Sequence, residues 1–206
     1  MNPKWAEENL QTIRILMERS ALYRRALAPI MLFAGFVGVL TAAVGIVFSL
    51  DHFVQFVLLW FSAAIFAVIA ALLIARSQAL KDKEVFWSPP TRRVTQAMLL
   101  PLSTGAFFGM VSIFLQASSD FDFIMALVWI LFYGFALNAA GFFMPRGIKV
   151  FGWFFTVCAC LLICCNATGM IELKNKSHWL MGFFFGVLHL VYGVYLYLTE
   201  KKNPVA

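Results

Sequence analysis

Six long runs of apolar residues, separated by short polar segments, dominate the chain. The runs cover residues 26–50, 52–75, 94–119, 123–145, 150–171 and 177–199. Each run exceeds the roughly 20 residues that a helix needs to cross about 30 Å of hydrocarbon. Because backbone polar groups find no water partners inside a bilayer, such runs cross it as helices. The pattern therefore predicts an all-α, polytopic membrane protein with six transmembrane helices.

The cations between the runs predict how the spans are oriented. The N-terminal segment, residues 76–93, the turn before span 5 and the C-terminal tail hold 14 of the 16 Lys and Arg residues. The three opposite connections hold only Lys174 and Lys176. Cations beside apolar runs stay on the cytoplasmic side of a membrane. Both termini are therefore expected in the cytoplasm, with the six spans arranged as three hairpins.

The first 25 residues have a different pattern from the spans. Leu10, Ile13, Met17 and Ala21 recur at helical spacing within a charged segment, which is typical of an amphipathic helix. Such a helix lies along the membrane surface, although a charged lead-in to span 1 fits the same pattern. The predicted organisation is an amphipathic helix at 1–25, a six-span bundle at 26–199 and a tail at 200–206, with helix and tail cytoplasmic.

The composition agrees with a membrane protein and indicates its partners. The chain is 62% hydrophobic and 13% charged, whereas soluble proteins carry about 25% charged residues. The net charge of +6 does not indicate nucleic acid, because the cations lie beside apolar runs. Those expected to set topology and contact anionic lipid headgroups are Arg24, Arg25, Arg76, Arg92 and Arg93. Beyond the lipid bilayer, the expected partner is another membrane protein or a second copy of the chain.

Small residues at helical spacing form stripes along spans 1, 3, 4 and 6. Such stripes let helices approach closely in lipid. Two stripes also carry polar side chains, Asn138 in span 4 and His189 in span 6, and Tyr192 lies near the same face as His189. Intramembrane polar residues often mark functional sites. These three residues are therefore candidate ligand or pocket residues, and helix packing is the simpler interpretation of the stripes.

His189 is expected inside the bundle, because it shares a face with the glycines of span 6. A buried imidazole without a partner costs on the order of 1–3 kcal/mol, and Asn138 is the first candidate partner. Haem ligation is a less favoured alternative, since His52 and His178 lie at span ends and do not match His189 in depth. No cofactor is predicted.

All four cysteines lie in span 5, at Cys158, Cys160, Cys164 and Cys165. Thiolates select copper(I) or zinc, but structural zinc sites normally add a second pair of ligands at a distance. No such pair is evident here. The favoured interpretation is that these cysteines pack as small apolar residues, and a metal site is the weaker candidate.

The sequence contains no recognisable catalytic motif. No Asp, Glu, Lys or Arg lies deep in a span, although transporters and pumps usually keep one there. An HExxH, a GxSxG and a P-loop are all missing from the sequence. The composition therefore favours a binding, sensing or accessory membrane component over an enzyme. A small permease or channel for a neutral or weakly polar solute, and an intramembrane redox or metal-binding protein, remain alternatives.

Four stretches of the chain carry a resemblance to known sequences. They are ENLQTIRILMERSALYRRALAPIM, FWSPPTRRVTQAMLLPL, AGFFMPRGIKVFGW and HLVYGVYLYLTEK. Together they resemble a group of uncharacterised bacterial integral membrane proteins of about this length. That group has no established activity, so the resemblance implies a bacterial inner-membrane location and no functional residues.

Overall fold

The structure is a computed structural model that describes residues 26–83, 85–115, 121–169 and 176–202. The predicted amphipathic helix at 1–25, with Arg24 and Arg25, lies outside the described residues, as does the end of the tail at 203–206.

Six helices make up the described chain, and each is long and apolar enough to cross a membrane. They are α1 (Ala26–Val47), α2 (Phe53–Lys81), α3 (Pro89–Phe114), α4 (Phe121–Ala140), α5 (Arg146–Ala167) and α6, which runs without a break through Ser177–Met181, Gly182–Val187 and Leu188–Lys202. No strand occurs in the ranges that the structure describes. The prediction of an all-α protein with six membrane-length helices is confirmed.

Helices α2 and α3 continue into the charged segment between them. The apolar pattern predicted helix at 52–75 and 94–119, but α2 extends to Lys81 and α3 begins at Pro89. The residues after Ala75 include Gln, Ala, Leu and Lys, which are good helix formers, so the charges end the apolar run without ending the helix. Proline suits the first turn of α3, because a backbone N–H at that position would have no hydrogen-bond partner within the helix.

Helix α4 lies at the centre of the packing. Half of its most apolar window is buried (50%), whereas in α2 that share is 11%. Its Trp129 stacks on Phe56 of α2, with ring centroids 6.0 Å apart, and donates a 2.9 Å hydrogen bond to the carbonyl oxygen of Gly105 in α3. Further contacts reach α5 and α6, and α4 bonds to two buried polar residues of α6, Ser177 and His189.

Helices α1 and α6 lie against each other in opposite directions, with their backbones in contact. A methyl group at Gly35 would lie 2.6 Å from the backbone nitrogen of Leu190, and one at Gly193 would lie 2.9 Å from that of Leu32. At Gly182 the same addition would meet the Cβ of Ala42 at 2.6 Å. The predicted role of the small-residue stripes in helix packing is therefore correct for these two helices.

Candidate functional site

His189 is buried in the middle of the bundle, with 1% of its surface exposed, and both ring nitrogens are engaged. Its Nδ1 lies 2.9 Å from the carbonyl oxygen of Phe184, and its Nε2 lies 2.7 Å from the hydroxyl of Tyr133 on α4. A carbonyl oxygen only accepts, so Nδ1 carries a hydrogen. In the neutral ring Nε2 therefore accepts, and the Tyr133 hydroxyl donates to it.

A π-helical turn in α6 provides the carbonyl group for this bond. The turn spans Gly182–Val187, and at its end the backbone N–H of Leu188 bonds to the carbonyl of Phe183. In a regular α-helix that N–H would bond to Phe184. The shift leaves the Phe184 carbonyl to accept from His189. Single π turns inside α-helices occur frequently at functional sites.

Aromatic rings surround the Tyr133–His189 pair. The ring centroids of Phe151 and Phe155 on α5 lie 5.3 and 5.7 Å from that of His189, and the ring of Phe185 stacks on it at 6.0 Å. The pair and these three rings form what we call the central cluster. Its polar side chains bond to each other and to the Phe184 carbonyl inside an apolar shell, and the cluster joins α4, α5 and α6.

Asn138 is not the partner of His189, so that expectation was wrong. Its Nδ2 donates to the carbonyl of Gly134 at 2.9 Å and to the Thr156 hydroxyl of α5 at 3.3 Å. The reason is helical geometry: Tyr133 and Asn138 are five residues apart, which turns their side chains about 140° from each other on α4. Tyr133 therefore meets α6 and Asn138 meets α5. The Oδ1 of Asn138 is the one buried side-chain atom in the described ranges without a hydrogen-bond partner.

Tyr192, the third pocket candidate, belongs to the contact between α5 and α6. Its ring stacks on that of Phe151, with centroids 4.7 Å apart and planes 11° from parallel. A methyl group at Gly147 would lie 2.5 Å from its hydroxyl oxygen. Tyr192 therefore reaches the central cluster only through the ring of Phe151.

A second buried histidine, His178, lies where α6 begins. Its Nδ1 accepts a 3.1 Å hydrogen bond from the indole Nε1 of Trp60, and its Nε2 donates at 3.1 Å to the carbonyl of Leu50. An indole N–H only donates and a carbonyl only accepts, so these partners select the neutral ring with its hydrogen on Nε2. The sequence indicated only that His178 lies at a span end and does not match His189 in depth, and no local signal indicated these partners.

Asp122 is also buried, although the sequence suggested only an outward-facing loop charge. The side chain is 5% exposed. Its carboxylate accepts the backbone N–H of Phe123 at 2.7 Å and the hydroxyl of Ser177. It stands in the first turn of α4 and its partner starts α6, where helix dipoles favour a negative charge. We call Trp60, Asp122, Ser177 and His178 the terminal cluster.

The cysteines of α5 follow the packing prediction only in part. All four are free thiols, and Cys160 and Cys164 are exposed, while Cys158 and Cys165 are half-buried. Within the described ranges, no group of three or more His, Cys, Asp or Glu side chains is placed to hold a metal ion. Exposed thiols on an apolar helix would contact lipid instead of packing inside the bundle.

Comparison of the chain with protein-family models, with curated proteins and with solved structures finds no match to any of them. The class of protein is therefore defined by the fold and the two clusters. Over the residues that the structure describes, the chain is all-helical, with six helices long and apolar enough to cross a membrane and with buried histidines that join them.

Proposed function

We propose that this chain is a multi-pass protein of the bacterial inner membrane that acts as a binding, sensing or accessory component. In this proposal the spans form three hairpins, and both termini and residues 76–93 face the cytoplasm. This orientation is supported by the distribution of Lys and Arg: 14 lie in the segments assigned to the cytoplasm and two in the opposite connections. The observation that supports a binding role is that both buried histidines bond only to groups of the chain itself.

Within the described ranges, neither buried histidine has a free ring nitrogen, and one buried polar side-chain atom, Oδ1 of Asn138, has no hydrogen-bond partner. Both nitrogens of His178 and both nitrogens of His189 bond to groups of the chain itself. A solute pathway needs polar groups that face a water-filled cavity, and haem iron needs an unengaged imidazole nitrogen. The two clusters meet neither requirement, so binding is assigned to the surface of the protein.

The cytoplasmic surface assigned to binding is the segment 76–93, which we call the basic turn. Five cations in this segment are exposed. They are Arg76, Lys81, Lys83, Arg92 and Arg93. The structure adds that Arg76 and Lys81 stand on the end of α2, and that Arg92 and Arg93 stand on the start of α3. Two helix ends thus present four of the five cations, and Lys83 lies in the turn between them.

Measurement of solute flux into proteoliposomes tests the proposed binding role against that of a permease. Purified protein in phosphatidylcholine vesicles should pass neutral solutes such as glycerol and urea no faster than protein-free vesicles. His189→Leu is the matched variant, because it removes the central polar group. Saturable flux in the wild-type protein that His189→Leu abolishes, with the fold retained, would replace the binding role by a permease.

Chemical labelling tests the orientation. In a variant whose four native cysteines are replaced, Ser88→Cys should react with a membrane-impermeant maleimide only after the cells are opened. A cysteine at Lys176 should react in intact cells and serves as the control. Reaction of Ser88→Cys in intact cells would invert the proposed topology.

A further inference from the structure

The lengths of α2 and α3 indicate how deep in the membrane the basic turn lies. Six residues of α2, from Arg76 to Lys81, follow the apolar run, and they extend the helix by about 9 Å. On α3 the five residues before Val94 add about 8 Å. A bilayer has about 30 Å of hydrocarbon and about 40–45 Å including headgroups, which leaves roughly 5–8 Å of headgroup layer on each side. Both helix ends therefore reach the layer of lipid phosphates.

Charge and apolar exposure agree with this depth. The basic turn holds five cations and two anions, Asp82 and Glu84. Beside the cations, three large apolar side chains are strongly exposed: Leu80 (67%), Val85 (74%) and Trp87 (53%). An acidic protein or nucleic acid in water would match the charges and leave these side chains wet. A membrane surface satisfies both, because tryptophan favours the interface and anionic lipids attract basic segments.

We infer that the basic turn binds anionic phospholipid of the leaflet in which it lies, with the cations on the phosphates and with Val85 and Trp87 inserted among the headgroups. This inference rests on the proposed binding role of that surface and names its ligand. The chemistry recognised is a phosphodiester carrying net negative charge at a membrane surface, such as phosphatidylglycerol.

Lipid retention measures the charge contribution. Full-length protein is placed in nanodiscs of phosphatidylcholine mixed with phosphatidylglycerol, and the lipids that stay bound are counted by native mass spectrometry. Phosphatidylglycerol should be enriched on the wild-type protein. Lys81→Gln/Lys83→Gln should reduce the enrichment by about thirtyfold at low salt, since each of the two cations near a charged surface contributes about 1 kcal/mol.

The connection between spans 5 and 6 offers a control, because its two lysines have the same spacing as Lys81 and Lys83. Lys174→Gln/Lys176→Gln also removes two lysines two positions apart, and it should reduce the enrichment less, because these two are the only cations in the three opposite connections. Equal retention of both lipids by the wild-type protein overturns the inference. So does an enrichment that the Lys81→Gln/Lys83→Gln variant keeps.

A depth measurement tests the apolar contribution without changing any charge. A spin label at Val85→Cys, with the native cysteines replaced, should be more accessible to oxygen than to a water-soluble nickel complex. A label at Leu58, an exposed position within α2, gives the hydrocarbon reference. A Val85 label that is fully accessible to the nickel complex, with or without phosphatidylglycerol, overturns the inference even where a lysine variant fails to fold.

These outcomes separate the inference from the proposed function. Nanodiscs expose both leaflets, so lipid enrichment does not depend on orientation or on solute flux. Reaction of Ser88→Cys in intact cells would overturn the topology and leave the lipid preference standing. If Ser88→Cys reacts only after the cells are opened and phosphatidylglycerol is not enriched, the lipid site is overturned and the proposed topology stands.

Discussion

Helix α6 meets its neighbours through two faces that hold the bundle together in different ways. Toward α1 it presents Gly182, Gly186 and Gly193, and the two backbones touch. Toward α4 and α5 it presents Phe184 and His189, whose contacts are aromatic rings and side-chain hydrogen bonds. The face toward α1 depends on glycines, which have no side chain. The face toward α4 and α5 depends on the specific side chains of Phe184 and His189.

The difference shows what each face tolerates. Lipid is as apolar as the helices, so association depends on close packing and on hydrogen bonds. On the glycine face an added methyl group would meet backbone atoms as well as side chains. Backbone atoms cannot rotate away, so the helices themselves must move. The histidine face loses a bond when a side chain changes, but its surroundings can repack. Enlarging the glycine face should therefore cost more than deleting a polar group from the other.

The largest expected effect belongs to Gly35→Ala on α1. The new methyl group would lie 2.6 Å from the Leu190 nitrogen and 2.9 Å from the Gly186 carbonyl oxygen. Overpacking of this kind costs about 2 kcal/mol, which reversible unfolding in mixed micelles would measure. Gly105→Ala is the control, because its nearest neighbour is the Cβ of Phe132 at 3.4 Å. Its change should stay within about 1 kcal/mol, the gain in helix propensity, and equal losses in both variants would refute the contrast.

His189→Leu should have the next largest effect. It leaves the Tyr133 hydroxyl and the Phe184 carbonyl without their partner. The expected loss of unfolding free energy is about 1–2 kcal/mol, measured in the same micelles. A loss above that of Gly35→Ala would mean that the histidine, and not the glycine face, dominates the packing of α6.

Tyr133→Phe should have a smaller effect, because it removes only the hydroxyl. Intramembrane hydrogen bonds contribute about 0.6 kcal/mol on average, and we expect a loss of that size. A double-mutant cycle with His189→Leu should show coupling of similar magnitude. The control is Asn138→Ala, which shares no partner with His189 and should combine with His189→Leu additively, within about 0.5 kcal/mol. Strong coupling between Asn138 and His189 would contradict the arrangement of α4.

The smallest effect is expected from the cysteines of α5. Replacing all four cysteines by serine or alanine should change stability by no more than about 0.5 kcal/mol, because Cys160 and Cys164 are exposed. Elemental analysis of the purified protein adds a second measurement. Stoichiometric zinc or copper that disappears with the cysteines would reveal a metal site.

The sequence was informative wherever a property repeats along one helix. Six apolar runs predicted six helices, and the stripes through Gly35 on span 1 and Gly186 on span 6 predicted packing surfaces. Helix ends were less predictable: charge marks where apolar side chains stop, but residues such as Gln78 and Leu80 let α2 continue to Lys81.

The candidate site was also only partly predictable from the sequence. The stripe on span 6 placed His189 correctly in the interior, but its partner depended on which face of α4 turns toward α6. The terminal cluster escaped prediction because Trp60, Asp122 and His178 are far apart in the chain and each resembles an ordinary residue at or near a span end.

The sequence by itself determined the number of long apolar helices, because burial of polar backbone in lipid leaves a long apolar run no other structure. It also determined which faces are smooth enough for close contact. Only the tertiary structure decided that α1 closes against α6, that α4 is central, and that Tyr133 bonds to His189. The physical reason is that apolar runs resemble one another, so the choice of neighbour depends on shape complementarity summed over whole helices and on hydrogen bonds between residues distant in the chain.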